Sequence, residues 1–166
     1  MRFADRPTTE TEVYVNAPPA TVWPLVTDIT APSRFGTELQ AAAWVDPGRE
    51  PSLGARFTGR NAHPAGGEWE TTSTVVDLVP ERRFGWAVGD PDRPSAVWRL
   101  ELAPAGDGTR LRYWAQMGPG PSGTTAVIEK MPDKEERIIA RRLEEWRTNM
   151  AATVDGIRRL AEGVEA

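Results

Sequence analysis

The chain has 166 residues, no cysteine, a single histidine and a formal net charge of −4, and its length predicts one domain over residues 1–166. Without cysteine there is no disulfide, thiol nucleophile or thiolate metal site, and one histidine cannot build a multi-histidine zinc site. A mildly acidic chain without a basic cluster is not expected to bind nucleic acid, and no apolar stretch approaches the roughly 18 residues that span a membrane. We therefore expect a cytoplasmic protein without a secretory signal, a metal or another cofactor.

The first elements are a strand and two short helices. Residues 11–17 alternate apolar and polar side chains, and this period of two is typical of a half-buried strand. Residues 20–29 follow with helical spacing, although Pro24 keeps that helix short. Residues 32–42 predict a second short helix that runs into the next strand.

Strand patterns then follow one another along the middle of the chain. Turn residues rich in Gly, Pro and Asp separate them, and an Asp-Gly turn between the last two is a strong hairpin signal. With the first strand they predict a sheet of seven antiparallel strands, and no repeated βαβ unit is visible. The predicted strands cover residues 41–46, 54–63, 68–79, 83–88, 95–103 and 109–117.

A glycine- and proline-rich connection follows the last strand at residues 118–131. Its first six residues match the pattern G-x-G-x-x-G. Pro119 and Pro121 remove backbone donors that phosphates need, and no parallel βαβ unit surrounds the pattern. We therefore predict a lid or entry loop and no nucleotide site.

The C-terminal segment predicts one long helix. Residues 134–162 place their apolar side chains on one stripe, and Gly163 is a typical helix terminator. A curved antiparallel sheet with one apolar face needs such a helix to cover it, which predicts an α+β fold. One helix cannot fill the concavity of so long a sheet, so a cavity is expected between the two.

Residues 13–28, Val13-Tyr-Val-Asn-Ala-Pro-Pro-Ala-Thr-Val-Trp-Pro-Leu-Val-Thr-Asp28, resemble the start of the helix-grip superfamily (SRPBCC). This superfamily includes START-domain lipid carriers, pollen-allergen-like proteins and polyketide cyclases/dehydrases. The final hairpin, residues 131–137 and the long last helix extend the resemblance over nearly the whole chain. It implies a helix-grip fold, in which a seven-stranded curved antiparallel sheet wraps around a long C-terminal helix, with two short helices after strand 1. It also implies an internal apolar ligand cavity, but no particular activity.

Strand parity predicts the side chains that line this cavity, unless a bulge inverts the alternation. The inward faces are aromatic with few polar groups, which suits a bulky, mostly apolar ligand that carries a few oxygens. Seven tryptophans among 166 residues agree with an aromatic pocket. The predicted ligand-binding residues are Phe57, Asn61, Trp69, Thr71, Ser73, Phe84, Trp86, Trp98, Met117, Arg142 and Trp146; for Arg142, an outward, solvated position is the alternative.

Two residues are candidates for catalysis. His63 can move a proton near neutral pH, but it ends a strand and is equally compatible with a solvated rim position. Tyr113 can donate a hydrogen bond to a ligand carbonyl, and the alternative is a core tyrosine. Arg34 and Glu38 flank the second short helix near the expected cavity mouth, where an arginine can bind a carboxylate or remain a surface charge.

These residues support two functions. The first is a carrier or sensor that binds a hydrophobic small molecule of polyketide, lipid or isoprenoid type. The alternative is a polyketide cyclase/dehydrase-like enzyme that uses acid and base groups in the cavity without a cofactor. Because His63 and Tyr113 are the only acid/base candidates, binding is favoured. An interaction subunit is less well supported, since no exposed apolar stripe is evident, and the sequence leaves open whether the protein is a homodimer.

Overall fold

The computed structural model describes residues 1–48 and 51–164 of the chain. Within these residues, seven strands form one antiparallel sheet in the order β1-β7-β6-β5-β4-β3-β2, as the sequence predicts. The first strand begins three residues earlier than its alternation indicates. The strands are β1 Thr8–Val15, β2 Leu39–Trp44, β3 Arg56–His63, β4 Gly67–Val79, β5 Arg83–Val88, β6 Ala96–Ala105 and β7 Gly108–Met117.

The helices of the described chain confirm the predicted helix-grip arrangement of two short helices after β1 and a long one at the C-terminal end. Single 3-10 turns lie at Phe3–Asp5 and Pro132–Lys134. The sheet curves around the long helix, as the helix-grip fold requires. The α-helices are α1 Pro19–Val26, α2 Ala31–Phe35, α3 Gly123–Lys130 and α4 Glu135–Glu162.

One helix contradicts the sequence analysis. The connection predicted over residues 118–131 contains α3, so the prediction was wrong for residues 123–130, whereas residues 118–122 of the expected lid or entry loop form no helix. Ser122 begins the helix: its hydroxyl accepts a hydrogen bond from the Thr125 N–H, and the Thr125 hydroxyl accepts one from the Ser122 N–H. This reciprocal capping satisfies donors that would otherwise be unpaired. The Gly- and Pro-rich residues in front of it concealed the signal.

α4 forms the helical half of the hydrophobic core. Ile139, Met150 and Ile157 on its apolar stripe are all at most 1% exposed. The acidic side chains of Glu135 and Glu136 lie in its first turn, where the helix dipole favours negative charge. Gly163 ends it with a φ of 71°, the left-handed conformation that favours glycine.

The end of α2 and the residues between α2 and β2 contact α4 at positions spaced seven residues apart. Seven residues are nearly two helical turns, so the attachment points share one face of α4. We call these contacts the α2–α4 clasp. They are Phe35 packed against Gly156, the Thr37 N–H donating to Asn149 Oδ1 at 2.7 Å, and Glu38 paired with Arg142.

Candidate functional site

A cavity of about 780 Å³ lies between the inner face of the sheet and α4. That volume is within the range of roughly 300–1,000 Å³ usual for small-molecule sites. All the predicted ligand-binding residues and both catalytic candidates lie in its lining. They are Phe57, Asn61, His63, Trp69, Thr71, Ser73, Phe84, Trp86, Trp98, Tyr113, Met117, Arg142 and Trp146.

The predicted alternation of inward and outward side chains holds at these positions because the bulges lie elsewhere in the sheet. Irregular register occurs between Leu39 and Ala41 and between Val75 and Asp77. The second bulge follows the inward residues of β4, and so it does not reverse their direction. Val75, the last inward residue before it, is 1% exposed.

The helices add lining residues that the sequence analysis did not assign to the cavity. Pro32 of α2, Val127 of α3 and Ile138 of α4 face it, as does Met131. Their positions depend on how the helices dock, and no local pattern carries that information. Arg34 lies outside the lining, with its guanidinium 5.2 Å from the centre of the Phe35 ring.

Aromatic rings form a continuous wall from the β2 edge of the sheet to α4. Neighbouring rings meet edge-on or tilted, the arrangements that the ring quadrupoles favour. Trp86 stands in the middle of the wall and Trp98 joins it to the helix. The centroid distances are 5.5 Å for Trp44–Phe57, 5.8 Å for Phe57–Trp86, 5.5 Å for Phe84–Trp86, 6.3 Å for Trp86–Tyr113, 5.8 Å for Trp98–Tyr113 and 4.6 Å for Trp98–Trp146.

Two hydroxyl groups face the cavity without a hydrogen-bond partner in the described chain. Tyr113 and Ser73 are each 3% exposed, and both lie in the cavity lining. Burial raises the pKa of Tyr113 far above its usual value, so the phenol keeps its proton and acts as a donor. The indole N–H of Trp146, also in the lining, is buried without a hydrogen-bond partner in the described chain, which is unfavourable, and a bound oxygen atom would satisfy it.

A cluster of charged side chains lies at the rim of the cavity, and we call it the rim cluster. Its members are 18–28% exposed, so they connect the cavity with solvent. Arg142 is central: its two Nη atoms bind Glu38, the second at 2.9 Å from Oε2, and Nη1 also donates to Glu145 Oε2 at 3.1 Å. His63 Nε2 lies 3.0 Å from the same Glu145 oxygen.

The hydrogen bonds of His63 define its proton position. The backbone N–H of Ala65 donates to Nδ1 at 3.0 Å, so Nδ1 carries no proton in this arrangement. The proton of the neutral ring is therefore on Nε2, which donates it to Glu145. Because both ring nitrogens are engaged, neither offers a free lone pair to a molecule in the cavity.

The surroundings of Glu145 favour its ionised form. Burial alone would raise the pKa of Glu145, but hydrogen bonds from Arg142 and His63 outweigh it and hold the pKa below the usual glutamate value. A carboxylate with a lowered folded-state pKa stabilises the protein above its unfolded pKa. That stabilisation is lost as the pH falls through the lower, folded value.

We therefore expect the native protein and Glu145→Gln to differ less in their free energy of unfolding below about pH 4.5, which is the ordinary pKa of a glutamate side chain. Urea unfolding from pH 7 to pH 3 measures it. Glu144→Gln is the matched control, because this neighbouring carboxylate is exposed and lies outside the rim cluster. An equal pH dependence in the two variants would contradict the stabilising role of Glu145.

The described residues contain no group of three or more His, Asp or Glu side chains placed to hold a metal ion. The same ranges contain no helix that is long and apolar enough to cross a membrane.

The curved sheet, α4 enclosed by it and the aromatic cavity between them define a helix-grip protein. The model of the family "polyketide cyclase / dehydrase and lipid transport" matches residues 6–156, and the chain belongs to this family. None of the curated proteins matches it.

Solved structures support the assignment of the chain to this family. The polyketide-cyclase-like protein Cgl2372 from Corynebacterium glutamicum is 33% identical, with a TM-score of 0.64, over 93% of this chain and 91% of that one. The di-domain aromatase/cyclase StfQ of the steffimycin biosynthetic pathway is 15% identical, with a TM-score of 0.69, over 94% of this chain and 51% of that one. Ara h 8.0201 is 10% identical, with a TM-score of 0.58, over 95% and 98% of the two chains. At these identities the last two show a shared fold.

Proposed function

We propose that the protein binds a bulky hydrophobic small molecule of polyketide, lipid or isoprenoid type in this cavity, as a carrier or sensor. The observation that carries the proposal is the aromatic cavity of about 780 Å³, whose lining includes the hydroxyls of Tyr113 and Ser73 and the unpartnered indole N–H of Trp146. Aromatic rings provide the apolar contact area, and a few polar groups orient the ligand. Membership of a family described by polyketide cyclisation and lipid transport supports the same class of ligand.

A cyclase/dehydrase-like activity is the second candidate. The protonated Tyr113 hydroxyl favours it, because a donor inside a cavity can polarise a ligand carbonyl. The likeness to the aromatase/cyclase StfQ also supports it. Such a reaction needs a base as well, and both nitrogens of His63 are already hydrogen-bonded. The geometry therefore supports binding first.

The test is native mass spectrometry of the purified protein together with an organic extract of the same sample. Retention of a defined apolar compound would support the proposal. Conversion of that compound on incubation, abolished in His63→Ala, would establish the enzyme instead. If the purified protein contains no bound compound, and polyphenols, fatty acids and sterols leave its tryptophan emission unchanged, both candidate functions are overturned.

Tyr113→Phe is expected to weaken binding of an oxygenated ligand about 3- to 10-fold, because it removes one neutral hydrogen bond. Stability should stay nearly level, since the variant keeps the aromatic ring and removes no hydrogen bond within the described chain. Tyr14→Phe is the matched control, as Tyr14 is 51% exposed. Titration of tryptophan emission measures the affinities, and equal affinities in the two variants would show that Tyr113 does not contact the ligand.

A further inference from the structure

The charged side chains of the cavity lining are unevenly balanced. Three carboxylates face two guanidinium groups, and Arg141 is 78% exposed, so its charge is largely solvated. Arg142 is the one strongly buried cation of the described lining. The carboxylates belong to Asp28, Glu38 and Glu145.

Arg142 is already neutralised within the rim cluster. Glu38 binds it through both carboxylate oxygens, and Glu145 supplies a third contact at 3.1 Å. A ligand carboxylate would have to displace one of them to reach the guanidinium. Arg141 also contacts Glu145, with its Nε 3.4 Å from Oε1, but over the described lining the carboxylates still outnumber the guanidinium groups by three to two.

The lining also offers hydrogen bonds without charge. Its uncharged polar groups include the hydroxyls of Tyr113 and Ser73 and the amide of Asn61, each on a residue at most 8% exposed. A carbonyl, ether or hydroxyl oxygen fits such partners. A carboxylate would lose its hydration without meeting a free cation.

We propose that the cavity selects uncharged, oxygen-bearing ring compounds and excludes carboxylates, and that Glu38 and Glu145 of the rim cluster determine this selectivity. The inference rests on the proposed function, since it concerns the ligand of the same cavity. This selectivity excludes fatty acids and other apolar acids as ligands, although the size and the aromatic lining of the cavity would accommodate them.

The experiment compares 1-pyrenemethanol with 1-pyrenecarboxylate, which share a ring system and differ in charge at pH 7. Binding is measured by quenching of tryptophan emission. Any apolar cavity disfavours a charged compound to some extent. The proposal is therefore tested by how the ratio of the affinities for the alcohol and the carboxylate changes between the native protein and its variants. The native protein should prefer the alcohol by at least about tenfold.

Glu145→Gln removes one carboxylate from the rim cluster and is expected to raise the affinity for 1-pyrenecarboxylate relative to that for 1-pyrenemethanol about tenfold. Glu38→Gln should act in the same direction, which covers the case that one variant fails to fold. Glu144→Gln lies outside the lining and should keep the native ratio.

The outcomes separate the two proposals. If neither pyrene compound binds, the proposed function fails. If both bind and the carboxylate is preferred, or if the ratio is the same in the native protein, Glu145→Gln and Glu38→Gln, the cavity binds ligands but the charge selectivity is overturned.

Discussion

Trp98→Ala is expected to weaken the binding of 1-pyrenemethanol about 30-fold or more, the effect of losing a central aromatic contact. Trp98 is only partly buried, and its ring spans from Tyr113 on the sheet to Trp146 on α4. It therefore gives much of its surface to the cavity. Its removal should cost less folding stability than the removal of a fully packed ring.

Trp86→Ala provides the contrast. Trp86 is 9% exposed and contacts Phe57, Phe84 and Tyr113, so we expect a loss of about 3–5 kcal/mol in the free energy of unfolding. Urea unfolding followed by far-UV circular dichroism measures stability, and pyrene emission measures binding. If Trp98→Ala loses as much stability as Trp86→Ala while its affinity is unchanged, Trp98 is a core residue and the assignment to the ligand wall is wrong.

Gly156→Ala is expected to destabilise the protein by about 1–3 kcal/mol, the usual cost of overpacking. A Cβ atom at this position would lie 2.3 Å from Cγ of Phe35, and so α2 would have to move away from α4. At an unobstructed position in a helix, alanine instead stabilises by up to about 1 kcal/mol relative to glycine. The sign of the change is therefore set by the α2–α4 clasp.

Gly123→Ala is the matched control, because nothing lies within 4 Å of a Cβ atom there. It should leave stability level or raise it slightly. Phe35→Leu in the Gly156→Ala background should recover part of the loss, since the smaller side chain relieves the contact. A stabilising Gly156→Ala would show that the Phe35 ring does not hold α2 against α4.

The sheet and its inner face follow from local sequence. Alternation with a period of two places Phe57, Asn61 and Trp86 on the inner face without knowledge of the pairing, and turn residues mark where strands end. The bulge in β4 lies beyond Val75, so the alternation holds at every cavity position. The amphipathic stripe of α4 likewise predicts which side of the helix meets the sheet.

The rim cluster was beyond sequence reasoning because its contacts join distant parts of the chain. Glu38 and Arg142 are 104 positions apart, and His63 and Glu145 are 82 positions apart. Charged residues in a sequence are most often solvated, and only docking of α2 and β3 against α4 pairs these ones. Arg142 is predicted as a ligand contact, whereas the structure places two carboxylates of the protein on it.

β1 is synthesised early and gains its neighbours late. Glu10 pairs with Arg112, 102 positions further along, and the Thr109 hydroxyl that binds the Ala17 carbonyl is 92 positions away. At roughly 5–20 residues per second, a ribosome needs about 5–20 s between the two. The aromatic inner face stays without its covering helix for longer still, because α4 is translated after β7. Until α4 has been translated, the apolar face of the sheet has no helix to cover it, and exposed apolar surface of this kind promotes aggregation of nascent chains.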